Sequence, residues 1–264
     1  MLPVFYLFWA ELRRDVHAWW SYRVQAFSSL VLWLVAFPFM IATFDGIATG
    51  YSAERQLASL IGFLVWELCS TVLAATTESV TTEAQQGTLE SVILAPVSPV
   101  LTFSLRLTAV TTREASETLL LGFGLMFLLR LFIMPNGLSL FVALLTLLGV
   151  CGVGLALGGL ALVYKSVDSV VAVVSLLAVL FTGALVPLNS LGAVFTFLKL
   201  LLPMTWGIDL LRQTLISGAG WSQLWVNGAL PGLGLQSAVF LALGIAVFRW
   251  GLHRAQEQGS LGSY

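Results

Sequence analysis

Residues 138–164 read LSLFVALLTLLGVCGVGLALGGLALVY and contain no charged side chain. A membrane-spanning helix needs about 20 consecutive apolar residues, because each residue advances about 1.5 Å through a hydrocarbon core about 30 Å thick. This run is longer than that minimum, so it predicts a transmembrane helix. Comparable segments recur along the chain and predict six spans, at 24–44, 57–77, 101–134, 138–164, 168–188 and 232–250.

The composition of the whole chain supports a location in the membrane. Of the 264 residues, 58% are hydrophobic and only 9% are charged, whereas soluble domains carry roughly 25% charged residues. A surface with so few charges must face lipid. We therefore predict an all-α, polytopic integral membrane protein that forms a single transmembrane domain over residues 1–264.

The positions of the basic residues predict the orientation. An even number of spans places both termini on the same side, and cytoplasmic loops carry an excess of Lys and Arg. The basic residues on the side of the termini are Arg13, Arg14, Arg23, Arg106, Arg113, Lys165, Arg249 and Arg254. Those on the opposite side are Arg55, Arg130, Lys199 and Arg212. The excess favours cytoplasmic termini.

Three segments lie outside the predicted spans. Residues 1–23 mix aromatic and basic side chains, which favours a helix in the inner membrane interface; a leader that extends the first span is the alternative. Residues 78–99 read ESVTTEAQQGTLESVILAPVSP, and their apolar second half, followed by Pro96, predicts a short amphipathic helix on the cytoplasmic face. Residues 189–230 hold an apolar stretch that is too short to span and ends at Pro203, which predicts re-entrant helices at the outer face.

Three motifs carry a resemblance to a known family. The first is Glu83 followed by GTLE at 87–90 and APVS at 95–98. The second is FTGALVP at 181–187, and the third is PMTWGIDLLR at 203–212. With their spacing against six spans, these motifs resemble those of the type-2 ABC exporter permeases, most closely the drug- and lipid-exporting branch. The resemblance covers nearly the whole chain.

The resemblance implies that the segment after the second span is a coupling helix, which binds a separate ATP-binding-cassette subunit. The residues implied in this contact are Glu83, Gly87, Thr88, Leu89, Glu90 and Pro96. Gly87 would allow a close approach or a sharp bend, because it has no side chain. Glu83 and Glu90 would offer carboxylates to basic groups, and Leu89 an apolar anchor. On spacing alone, a solvated loop whose acids keep it out of the bilayer is an equal alternative.

The resemblance also implies the partners. The sequence contains no G-x-x-x-x-G-K-[ST] phosphate-binding loop, so we expect this chain to bind no cofactor and the partner subunit to bind ATP and Mg²⁺. The family's usual assembly has two ATP-binding subunits and two permeases, here a homodimer or a paired heterodimer. We expect membrane lipid around it, in an inner (plasma) membrane of bacterial or archaeal type.

Five residues are candidates for the transport pathway or its gate, namely Glu67, Pro187, Pro203, Asp209 and Arg212. Glu67 lies within the second span, where an isolated charge costs about 2.5–3.5 kcal/mol or more. It is either a contact in a wet pathway or a neutral, hydrogen-bonded acid that holds helices together. Asp209 and Arg212 are three residues apart, which favours an intrahelical ion pair, while the resemblance implies a gate element.

Other classes of function have little support. The net charge is −1 and no basic patch occurs, so we predict no nucleic-acid partner. Both histidines lie near the termini and the two cysteines are far apart, so we predict neither a metal site nor catalytic residues. Arg113 and Glu117 are four residues apart and predict an ion pair.

These patterns predict the permease subunit of an ATP-driven ABC exporter. It would move a lipophilic, lipid-linked or glycan-type substrate out of the cytoplasm through a dimeric pathway. An ion-coupled carrier or a non-transporting membrane scaffold is the alternative. Only the exporter needs the ATPase partner for transport.

Overall fold

The computed structural model describes residues 2–47, 52–164, 168–181 and 202–257. These residues form helices and connecting turns and contain no β-strand, which confirms the all-α prediction for this part of the chain. The helices are α1 (Leu2–Ser21), α2 (Arg23–Ile47), α3 (Ala53–Gln85), α4 (Leu89–Leu94), α5 (Pro99–Leu129), α6 (Gly137–Tyr164), α7 (Asp168–Phe181), α8 (Pro203–Leu215), α9 (Trp221–Val226) and α10 (Ala229–Glu257).

Four of these helices, α2, α3, α6 and α10, are long and apolar enough to cross a membrane. They coincide with the first, second, fourth and sixth predicted spans. Helix α5 has the length of a span, but its first half carries charged side chains. The fifth predicted span is described only as far as Phe181. The prediction of a multi-pass membrane protein is therefore confirmed, and the count of six spans stays a prediction.

Two helix ends differ from the predicted boundaries. The third span was expected over 101–134, whereas α5 ends at Leu129 because Arg130 adopts a left-handed conformation with φ 55°. The polar residues after the second span were expected in a loop, whereas α3 continues as far as Gln85. The backbone turn that ends α3 is at Gly87, so the polar residues before it remain helical.

Helices α6 and α10 lie so close together at their glycines that a larger residue would not fit there. A Cβ atom on Gly244 of α10 would lie 2.0 Å from the carbonyl oxygen of Gly152 in α6. Two turns further on, a Cβ atom on Gly251 would lie 2.1 Å from the carbonyl oxygen of Gly159. Small residues at a helix interface allow such an approach of two backbones. The α6–α10 pair therefore packs backbone against backbone and makes the most extensive contact between two helices in the described structure.

Helix α8 packs against α3, α6 and α10. Its first residue, Pro203, contacts Gly149 of α6 closely, since a Cβ atom on that glycine would lie 2.8 Å from the proline ring. The Arg212 side chain donates a hydrogen bond from Nε to the carbonyl oxygen of Ala58 in α3, at 2.8 Å. The predicted outer region thus includes α8 and α9, while its residues 189–201 lie outside the described part of the chain.

Helices α2, α3 and α5 share a separate apolar cluster. Phe37 of α2 stacks on Phe63 of α3 with 4.6 Å between ring centroids, and Leu121 and Leu125 of α5 are buried beside them. Helix α1 lies apart from this cluster and packs along the first half of α5. The charged half of α5 is consequently covered by α1.

Gly244→Ala should destabilise the protein, because the added methyl group would overlap the carbonyl oxygen of Gly152. Overpacking of this kind costs about 1–3 kcal/mol, so the melting temperature in detergent should fall. Gly234→Ala on the same helix is the matched control, since no atom lies within 4 Å of its new Cβ. Equal melting temperatures for the two variants would show that α6 and α10 do not pack through these glycines.

Candidate functional site

A sharp turn follows α3 and presents the short helix α4. The backbone N–H of Gly87 donates to the carbonyl oxygen of Ala84 at 3.3 Å, and that of Thr88 to the carbonyl oxygen of Glu83 at 3.1 Å. This pair of bonds is the Schellman motif, which ends a helix with one left-handed residue. Gly87 is that residue, with φ 68°, a conformation that costs other residues roughly 1–2 kcal/mol. We call residues 85–88 the coupling turn.

Helix α4 has a buried end and an open end. Leu89 at its start is only 1% exposed and lies in a core formed by α3, α5, α6 and α10. Leu94 at its last position is 83% exposed, and Pro96, two residues further on, is exposed as well. The first turn of α4 is thus fixed in the core of the chain, and its end offers an apolar surface.

Four charged side chains from three helices meet beside the coupling turn. We call them the basal ion cluster: Glu11 and Arg14 of α1, Glu83 of α3 and Arg106 of α5. The Arg106 guanidinium lies 2.8 Å from the Glu83 carboxylate through Nη1 and 3.3 Å from the Glu11 carboxylate through Nε. Arg14 lies 2.9 Å from Glu11 and 3.9 Å from Glu83. Two carboxylates balance two guanidinium groups, so the cluster is neutral as a whole.

Glu83 connects the basal ion cluster to the coupling turn. One oxygen of its carboxylate, Oε1, binds Arg106, and the other, Oε2, accepts a hydrogen bond from the Thr88 hydroxyl. Partial burial opposes ionisation, but the Thr88 hydroxyl and the Arg106 guanidinium outweigh it and lower the pKa of Glu83 below its ordinary value. Glu83 is therefore a carboxylate at neutral pH and holds the residue that precedes α4.

A second group of charges lies further along α5. Arg113 forms ion pairs with Asp15 of α1 at 2.6 Å, with Glu114 at 2.7 Å and with Glu117. The predicted pair of Arg113 and Glu117 is confirmed. Among the described residues, no group of three or more His, Cys, Asp and Glu side chains is placed to hold a metal ion. The pair with Asp15 joins α1 to α5, whereas Glu114 and Glu117 lie on the same helix as Arg113.

The predicted contact residues lie in or beside the coupling turn, with different exposure. Those exposed are Gly87, Thr88 and Pro96. Glu83 is bound within the chain, and Leu89 is buried in its core. The side chain of Glu90 lies outside the described part of the structure. Contact of these residues with an ATP-binding subunit stays a prediction.

Sequence reasoning missed four residues at this end of the molecule. Glu11, Arg14 and Arg106 complete the ion cluster, and Leu94 forms the exposed end of α4. Arg106 appeared only as one of the cytoplasmic basic residues, because a single sequence does not say which helix α1 will cover. The apolar residues before Pro96 could have identified Leu94 as a site candidate.

The pathway candidates lie on different helices. Glu67 is half-buried on α3 and lies near the side chain of Trp33 in α2, which favours its interpretation as a link between helices. Three candidates lie on α8, namely Pro203, Asp209 and Arg212. Pro187 lies outside the described residues. The transport roles of all five stay predictions.

Long apolar helices and close packing of their glycines are the features of a polytopic helical membrane protein. Residues 3–216 match the profile of the ABC-2 type transporter family. The match extends over most of the chain, so the chain belongs to this family and is an ABC permease subunit. Such permeases normally work with an ATP-binding subunit. A search of curated protein sequences returned no match.

Protonation of Glu83 should loosen the basal ion cluster. Because the pKa of Glu83 is lowered in the folded chain, its stabilising effect is present above the ordinary carboxyl pKa of 4.5 and is lost as the pH falls below it. The melting temperatures of the wild type and of Glu83→Gln should therefore differ near neutral pH and converge in acid. Both proteins keep Glu11, Arg14 and Arg106, so they differ only in the side chain at position 83. A difference that persists unchanged in acid would contradict the role of the carboxylate.

Proposed function

We propose that this chain is the permease subunit of an ATP-driven exporter that moves a lipophilic, lipid-linked or glycan-type substrate out of the cytoplasm. It works with six spans, cytoplasmic termini and a second permease copy, as a homodimer or a paired heterodimer. Two separate ATP-binding-cassette subunits bind ATP and Mg²⁺. Membership of the ABC-2 type transporter family supports the permease role. The observation that carries the ATP-driven part is the exposed coupling turn beside a partly buried ion cluster.

A segment that receives force from another protein has to be both accessible and stiff. The coupling turn is accessible, since Gly87 and Thr88 are exposed. It is also held, because its two closing hydrogen bonds and the Glu83 carboxylate fix Thr88 at the start of α4. A push on this segment would therefore displace α3 and α5 instead of being absorbed by a flexible loop.

The exposed residues of this chain indicate which surface binds the ATP-binding subunit. Gly87, Thr88 and Pro96 contact the partner, and Leu94 adds an exposed apolar side chain that fits a groove. Glu90 offers a carboxylate to basic groups of the partner. The other residues of the predicted set, the partly buried Glu83 and the buried Leu89, support this surface from within the chain.

The opposite end of the molecule provides the gate in this proposal. Helix α8 begins at Pro203 and is tied to α3 by the hydrogen bond from Arg212 to the carbonyl oxygen of Ala58. A shift of α3 would therefore move α8 as well. Asp209 and Pro187 complete the outer gate, and Glu67 of α3 lies along the pathway or links α3 to α2.

Gly87→Trp should abolish binding of the ATP-binding subunit and leave the permease folded in the membrane. A Cβ atom at this position meets no atom within 4 Å, so the indole would project from the contact surface. Gly218→Trp is a matched control, because Gly218 has the same φ of 68° and equally open surroundings in the turn after α8. Tagged chains purified in mild detergent from the native host, with partners identified by mass, provide the measurement.

The expected result is an ATP-binding-cassette subunit that accompanies the wild type and Gly218→Trp but not Gly87→Trp. Gly87→Ala separates the strain of a positive φ from the bulk of the indole and should retain the partner. A chain that purifies without such a subunit, and whose transport continues without ATP, would overturn the proposal in favour of an ion-coupled carrier. Without any transport, a scaffold would be indicated.

A further inference from the structure

Arg106 is an unusual residue for the surroundings in which it lies. It is 5% exposed and is the one Asp, Glu, Lys or Arg that is buried among the residues whose side chains the structure describes. Burial of a guanidinium group is costly unless its hydrogen-bond donors are matched by carboxylates. Its guanidinium also lies over the ring of Phe103, 5.2 Å from the ring centroid. The surroundings of Arg106 therefore accommodate a buried guanidinium group.

The two ion pairs of Arg106 reach different helices. Nη1 lies 2.8 Å from Glu83 at the end of α3, and Nε lies 3.3 Å from Glu11 in α1. The planar guanidinium presents several donors in a rigid fork and can hold two carboxylates in a fixed relative position. Arg106 therefore joins three helices at one point.

The chain of contacts continues from Arg106 into the coupling turn. The second carboxylate oxygen of Glu83 accepts the Thr88 hydroxyl, and the backbone carbonyl of Thr88 accepts the N–H of Val92 in α4 at 3.2 Å. A continuous path of polar contacts thus leads from α1 through Arg106 and Glu83 to α4. Loss of Arg106 would leave Glu83 without its closest cation and free the Thr88 side chain to move.

We propose that Arg106 is a positioning residue that acts through Glu83, fixes the coupling turn, and joins α1, α4 and the adjoining ends of α3 and α5 into one rigid unit. Its role in transport rests on the proposed function, because a fixed turn passes a displacement of α4 on to α1 and α5. Its effect on the turn is a property of this chain alone. The two can therefore be tested separately.

Hydrogen–deuterium exchange of the full chain in phosphatidylcholine nanodiscs tests the effect on the turn. Arg106→Met keeps the length and apolar stem of the side chain but removes its charge and donors. It should raise the exchange rate of the backbone amides at 86–92 about tenfold, the size expected for a coupled charge pair. Exchange in α6, which supplies none of the charged side chains of this cluster, should stay unchanged.

Conservative and paired variants distinguish positioning from packing. Arg106→Lys restores the charge without the fork and should give an intermediate exchange rate. Glu83→Gln should raise exchange over the same residues, and its effect should not add to that of Arg106→Met if both act along one path. Arg254→Gln, which removes an exposed ion pair with Glu257, is the control and should leave the turn protected.

Wild-type exchange at 86–92 in Arg106→Met would overturn the proposal, and so would additive effects of the two changes. If Arg106→Met does not yield folded protein, Glu83→Gln and Thr88→Val carry the same test, since both interrupt the path beyond Arg106. The exchange result does not depend on an ATP-binding partner. If the proposed function proves wrong, the exchange result still stands. If the exchange result contradicts the role of Arg106, the permease assignment still stands.

Discussion

Charged side chains that leave water must be paired, and the arrangement of this chain depends on where that pairing occurs. Helix α5 carries Arg106 and Arg113, whose side chains are largely withdrawn from solvent, so that unpaired charges would be costly there. Helix α1 supplies the carboxylates of Glu11 and Asp15 that meet them. For this reason α1 lies along α5, and the end of α3 joins the same cluster through Glu83.

The remainder of the described structure is held together in a different way. Helices α6 and α10 contact each other through glycines, without charged groups, and gain dispersion contacts that any separation would lose. We expect this pair to form the stationary part of the molecule. The basal ion cluster, with the exposed coupling turn and α4, is the part on which a partner can act. The hydrogen bond between α8 and α3 connects this part to the opposite end of the molecule.

Much of this architecture was predictable, because spans are recognised by length and apolarity alone. The coupling turn was predictable in part, since Gly87 has no side chain and marks a bend, and the GTLE motif marked its neighbours. The role of Arg106 was not predictable. Its partners lie 95 residues away in α1 and at the end of α3, and a single sequence does not encode which helix faces meet. Leu89 shows the same limit, because its burial depends on how α4 folds back onto the core.

Site-specific photo-cross-linking in the native host tests the central claim, that the exposed end of α4 binds an ATP-binding subunit. A photoreactive amino acid would replace Leu94, which is 83% exposed, and in a second protein Val226 of α9, which is 82% exposed. The account predicts a covalent adduct with an ATP-binding-cassette protein from position 94 and none from position 226. No such adduct at position 94, or equal adducts at both positions, would contradict it.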